Sequence, residues 1–258
     1  MNKEECEMAN NKICMDKDCI KFFVNPPEEN NKEKVYYEAI KRAYGDMSRH
    51  TLHFQNGYKG NDKTSIDNRN NFRTARIEEL KTLMLNGGYE DRIFDIVNSK
   101  DKNKYELFDD IHDSLCNKVI ESFTKEKSIM VKTDYSSKKR DDGFSYGQAQ
   151  KIVNMTLKYV YMFYNYFNAL DNSYKDELDK FNFIIPYLHS PVDSYVIDAA
   201  EGEGANGKKS YNFCCKRPKY PWSKLSHDEY IDYINDLREN LKQKDTSPFA
   251  WELSNYPF

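Results

Sequence analysis

Ser145-Tyr146-Gly147-Gln148-Ala149-Gln150-Lys151-Ile152-Val153-Asn154-Met155-Thr156-Leu157-Lys158 opens the longest helical pattern in the chain. Ser145 suits a helix cap, and Gln148 three residues on completes a capping box. Behind it Ala149, Val153, Leu157, Val160, Tyr164 and Phe167 recur at the i, i+3/i+4 spacing of a buried face. Lys151, Asn154, Lys158 and Asn165 follow the same period on another side. After a variable connection, His189-Ser190-Pro191-Val192-Asp193 reads as the start of a second helix. Ser190 would be its cap and Pro191 its first residue, with Asp193 in the first turn, where the helix dipole favours negative charge. The chemistry open to this stretch depends on whether Lys151 and Asp193 face each other.

Working outward, the remaining patterns are also helical. Residues 33–54 place Val35, Ala39, Ala43, Met47 and Leu52 near one face, and residues 72–85 do the same with Ile77, Leu80 and Met84. Residues 56–71 read as a turn-rich connection, and Asn86-Gly87-Gly88 as a helix stop. A short helix is expected over 89–97 and a longer one over 104–123, the latter with Leu107, Ile111, Leu115, Cys116, Val119 and Phe123 as its stripe. Residues 169–180 read as an acidic connection, 181–188 as an apolar run and 201–207 as a flexible loop. A helix over 227–241 precedes a tail whose Pro248, Phe249 and Trp251 dock on the core. Ile129 to Val131 is the one extended piece suggested. Residues 1–30 read as a polar arm with a short turn around Ile20 to Val24. The fold expected is all-α, a compact multi-helix domain over 31–258, one-lobed or bilobal, with few or no strands.

The 258 residues include 20 Tyr and 15 Phe, so rings supply the burial that scarce aliphatic residues do not. A net charge of −3 gives no global attraction for nucleic acid and leaves only local patches, Lys138-Lys139-Arg140 and Lys208-Lys209 through Lys216-Arg217. The six cysteines match no zinc spacing, and His50 and His53 lack a third ligand, so no metal site is expected. With no apolar run of membrane-spanning length, the expectation is a cytoplasmic protein with free thiols and no membrane partner.

Over residues 143–200 the chain resembles the helix-hairpin-helix base-excision DNA glycosylases, the family that includes the oxoguanine glycosylases. Tyr146-Gly147-Gln148-Ala149-Gln150-Lys151 stands where that family has its hairpin and the Lys that opens a long helix. Pro191-Val192-Asp193 stands where it has Pro-Val-Asp, and the tract from Lys151 to Tyr159 is most similar to the archaeal oxoguanine branch. Ala149 occupies the place of the second hairpin glycine.

The resemblance implies a DNA glycosylase/AP lyase needing no cofactor, acting on a damaged base, with oxidised guanine as the example, in double-stranded DNA. Lys151 would be the amine nucleophile that forms a Schiff base, and Asp193 the carboxylate that stabilises a cationic sugar. Gly147, Gln148 and Gln150, with Lys138, Lys139 and Arg140, would contact DNA. Lys158, His189 and Trp222 would line the pocket of the extruded base. The alternative is a non-catalytic helical interaction protein with a protein partner, of the kind carried by phages and mobile elements. The sequence leaves the oligomeric state open.

Overall fold

The computed structural model of the chain describes residues 16–49, 51–52, 54, 58–100, 103–125, 143–201 and 215–255. Among them every regular element is helical: α1 (Lys17–Val24), α2 (Lys32–Ser48), α3 (Lys63–Leu85), α4 (Tyr89–Asp95), α5 (Lys104–Thr124), α6 (Tyr146–Asp171), α7 (Lys175–Ile184), α8 (Ser194–Ala200), a 3-10 turn (Trp222–Lys224), α9 (His227–Lys242) and α10 (Pro248–Asn255). The all-α expectation holds, and the suggested extended piece at Ile129 to Val131 lies outside the described residues.

The 26-residue α6 is the axis, about 39 Å long at the rise of an α-helix. The expected capping box forms, with Ser145 Oγ accepting from Gln148 N at 3.1 Å and Gln148 Oε1 accepting from Ser145 N at 3.0 Å. Asn172 at φ 60° ends the helix in the left-handed conformation that Asn tolerates. α6 packs against α1, α2, α5, α7, the 3-10 turn and α9. Every residue from Tyr146 to Lys158 is buried, so the first half of α6 is covered on all sides.

Aromatic rings fill the space around it. Tyr161, Tyr164, Phe94 and Phe181 pack edge-on or tilted near its C-terminal half, and Tyr44, Phe72, Phe123 and Phe144 form a second cluster.

Four expectations need correction. Part of the arm is structured: α1 is capped by Asp16 and buries Ile20 and Val24 in the common core. α3 begins nine residues earlier than its apolar stripe, because Asp62 accepts from Ser65 N and starts a polar first half. Arg69 binds the carbonyls of Tyr58 and Gly60 and folds the preceding loop onto that half. The acidic connection is largely α7, whose Asp176 and Glu177 suit the positive end of the helix while Leu178, Phe181 and Ile184 face inward. α8 starts later than expected, with Asp193 rather than Ser190 as its cap.

Gly147 sits where backbones meet. Its N–H donates to Leu225 O at 3.0 Å, and a Cβ there would overlap the Trp222 carbonyl oxygen. Gly147→Ala is expected to destabilise the protein by about 1–3 kcal/mol in urea unfolding, as overpacking against backbone does. Gly45→Ala, in α2 with none of the described residues near its Cβ position, should instead stabilise by about 0.5–1 kcal/mol.

Candidate active site at the junction of α6 and α8

Lys151 lies in the second turn of α6 and Asp193 caps α8, 42 residues later. Their side chains meet: Lys151 Nζ donates to Asp193 Oδ2, with 7% of the lysine side chain and 16% of the aspartate exposed. Asp193 Oδ1 accepts from Val196 N at 3.0 Å. One carboxylate oxygen therefore starts a helix while the other holds an ammonium, and the pair reaches solvent along the aspartate edge.

The segment 189–193 is irregular yet almost wholly buried at its start, so its backbone needs partners. α6 supplies them. Gln150 Nε2 donates to Val192 O at 2.7 Å and to Gly147 O at 2.9 Å. Gln150 Oε1 accepts from Val192 N at 3.2 Å and from Asn154 Nδ2 at 3.1 Å. Asn154 Nδ2 also lies 3.2 Å from Ser190 O and 2.9 Å from Tyr230 Oη, so its two hydrogens are shared among three acceptors.

From Asn154 the chain of bonds continues outward. One proton arrangement, assigned from the network, satisfies it. Tyr230 accepts from Asn154 and donates to His189 Nδ1 at 2.8 Å, and His189 Nε2–H donates to Asp109 Oδ1 at 2.7 Å. Arg238 grips Asp109 with both terminal nitrogens, at 2.9 and 2.7 Å. Arg238 Nη2 and His189 Nε2, 2.8 Å apart, are thus parallel donors converging on one oxygen. Burial pushes the His189 imidazole down to about 4, with Arg238 adding to the shift and Asp109 opposing it. Burial also works to raise the Asp109 carboxyl, but the Arg238 and His189 hydrogen bonds prevail and hold it well below the usual carboxylate range. His189 is accordingly neutral at pH 7, anchored rather than free in a pocket.

Lys158, two turns beyond Lys151, pairs with Glu252 of α10 at 2.7 Å, both side chains about 95% buried. Burial raises the Glu252 carboxyl against the pull of Lys158, and the charges of Lys151 and Asp193 are near enough to act on it too. Glu252 Oε2 is buried with no hydrogen-bond partner among the described residues. On the opposite side of Asn154, His112 Nε2 donates to Asn154 Oδ1 at 3.0 Å, and Cys116 Sγ lies 3.7 Å from the His112 ring. The residue types match a Cys-His-Asn hydrolase. Burial pushes the thiol well up and the imidazole well down, so no thiolate–imidazolium pair forms.

The structure thus brings Lys151 and Asp193 together and puts Lys158 and His189 in flanking buried networks. Trp222 stands half-buried at the start of α6, where its carbonyl abuts Gly147. Gly147, Gln148 and Gln150, expected as DNA contacts, are buried and bonded within the protein: Gln148 Nε2 donates to Thr51 O at 3.2 Å. Lys138, Lys139 and Arg140 lie outside the described residues, as do His50 and His53. Among the described residues no cluster of His, Cys, Asp and Glu could hold a metal, and no helix is long and apolar enough to cross a membrane.

Asp109, Tyr230, Arg238 and Glu252 were missed in the sequence. The available signal was a charged residue inside an apolar stripe: Arg238 follows Tyr230 and Ile234 at helical spacing, and Glu252 follows Phe249. Tyr195, two residues after Asp193 and 71% exposed, was also missed. Comparison of the chain with family models, with curated proteins and with solved structures finds no match.

Two outcomes follow from the buried charges. Lys158→Met alone should cost about 3–5 kcal/mol in chemical denaturation, by stranding Glu252, and adding Glu252→Met should recover most of it. His189 binds fewer protons folded than unfolded, so its contribution is complete above pH 6.5 and is lost as pH falls toward 4. Glu252 titrates in the opposite sense. The difference in urea stability between wild type and His189→Gln removes that shared term and should shrink over this pH window.

Proposed function

We propose that the protein is a DNA glycosylase/AP lyase-like enzyme that attacks a damaged nucleotide in double-stranded DNA through the Lys151 amine. The observation that carries the reading is the meeting of Lys151 with Asp193, two residues singled out by order and context that are 42 positions apart and joined by no local turn. An amine on a covered helix next to a carboxylate fixed by a helix start is the pair that this chemistry requires.

The reaction begins when the pair opens. The Lys151 ammonium gives one proton to the Asp193 carboxylate, and the neutral amine attacks the sugar C1′. The C1′–N glycosidic bond breaks, its electron pair leaves with the base, and the base takes up the proton held by Asp193. The ammonium now linking Lys151 to C1′ passes a proton to O4′, the C1′–O4′ bond breaks and an iminium forms; loss of a C2′ proton then lets the C3′–O bond break, and the 3′ phosphate leaves with its electron pair. Asp193, again ionised, stabilises the cationic sugar. Tyr195, exposed two residues after Asp193, offers a ring on which a base can stack.

The second reading, a non-catalytic helical interaction protein, is favoured by the completeness of the pairing: Lys151, Lys158 and Arg238 each have a carboxylate. Borohydride trapping separates the two. On duplexes bearing oxidised guanine or an abasic site, the wild-type protein is expected to form a covalent adduct that Lys151→Gln abolishes. Asp193→Asn keeps a capping oxygen for Val196 but loses the charge, and its adduct should form about 100-fold more slowly. Absence of a wild-type adduct, together with absence of salt-dependent DNA binding, would leave the interaction protein.

A further inference from the structure

We infer that Gln150 is a positioning residue that sets the approach of Lys151 to Asp193 by gripping the backbone of Val192. The inference rests on the proposed role of that pair, while its geometry stands independently.

Gln150 is the chain neighbour of Lys151, and Val192 is the chain neighbour of Asp193. The carboxamide takes both backbone groups of Val192, accepting from its N–H at 3.2 Å and donating to its carbonyl at 2.7 Å. This is the two-point pairing that one strand residue offers another, here made by a side chain. The other half of the amide is also engaged: the second N–H binds Gly147 O at 2.9 Å, and the second oxygen lone pair receives Asn154 Nδ2 at 3.1 Å. Two donors and two acceptors are all that a glutamine has, and all four are used. The amide cannot be turned over without setting its oxygen against two carbonyls and its NH2 against two N–H donors. Its orientation is therefore fixed, and so is the distance from α6 to segment 189–193.

The clamp acts where the pair has least freedom of its own. Asp193 is tied to the α8 N-terminus, so its carboxylate moves with the backbone that Gln150 holds. Lys151 has a long side chain, but only 7% of it is exposed and neighbouring residues enclose it. Asn154 extends the grip by binding Ser190 O at 3.2 Å, so segment 189–193 is held at two carbonyls and one amide. Gln150, which the resemblance would place against DNA, instead spends its whole amide on the protein's own backbone.

The test uses Gln150→Met, which keeps the length and volume of the side chain and removes the four hydrogen bonds. Lysine acetylation by acetic anhydride, read by mass spectrometry, reports how often each amine is uncovered. In the variant Lys151 should acetylate about tenfold faster or more, while Lys158, held by Glu252, keeps its wild-type rate. Equal acceleration of both lysines would mark general loosening and overturn the inference, as would no change at Lys151. Hydrogen exchange of the Val192 amide in the unmodified protein gives a second readout that needs no variant: protection is expected, and exchange at the rate of a free amide overturns the clamp. Where the wild-type protein traps DNA, Gln150→Met should lower the trapping rate without weakening DNA affinity. Where it traps none, the lyase reading falls alone, and acetylation and exchange still decide the clamp.

Discussion

The whole structure depends on one constraint: α6 is covered on every side through its first half, yet that half carries Gln148, Gln150, Lys151, Asn154, Thr156 and Lys158. A helix in that position is ordinarily apolar all round. Each polar group must instead find a partner or cost several kcal/mol of lost hydration. The elements around α6 are placed where they meet that demand for all but Thr156, whose buried hydroxyl has no hydrogen-bond partner among the described residues. Segment 189–193 supplies backbone groups to Gln150 and Asn154, α8 supplies Asp193, α10 supplies Glu252, and the stretch after α2 supplies the Thr51 carbonyl to Gln148. α5 and α9 close the far side with His112, Asp109, Tyr230 and Arg238. Because hydrogen bonds are directional and apolar packing is not, this polar stripe fixes the register of the helices more narrowly than their rings do.

The helices were legible where apolar spacing and cap chemistry agreed. The capping box at Ser145, the stop at Asn86-Gly87-Gly88 and the stripe of α9 appear as their residues predict, as does that of α5 apart from Leu107, which is half-buried while Phe108 takes the core position. Legibility failed where a helix starts on a cap with no apolar period behind it, as at Asp62, and where the cap is a residue expected inside the first turn, as at Asp193. In the sequence Ser190 reads as the cap and Asp193 as a first-turn residue. Asp193 won because its carboxylate serves Val196 and Lys151 together, and the second partner lies 42 residues away.

The candidate site was half legible for a related reason. Lys151 and Asp193 carried local signals and could be named. Their flanking partners carry signals only as anomalies, a charge set in an apolar stripe, and such a residue is usually the end of a long-range pair whose other end the sequence does not mark. Arg238 and Asp109 are 129 positions apart, Lys158 and Glu252 are 94. The polar period Lys151, Asn154, Lys158 was visible from the start. Taken as a solvated side it says little; taken as buried, it requires three partners and leads to them.

The charges along that period alternate in a way that bears on reactivity. Lys151 and Lys158 stand two turns apart on one helix, and each is neutralised by a carboxylate from a different element near the C-terminal part of the chain. The two pairs are not equivalent. Lys158–Glu252 is sealed, and opening it would strand two ions in a dry environment. Lys151–Asp193 touches solvent along one edge, and its carboxylate keeps a bond to Val196 when the lysine leaves. A chain that needed only a neutral core would lose little by replacing both pairs with apolar residues. With one pair sealed and the other at the edge, Lys151 is the one ammonium of the two whose carboxylate reaches solvent.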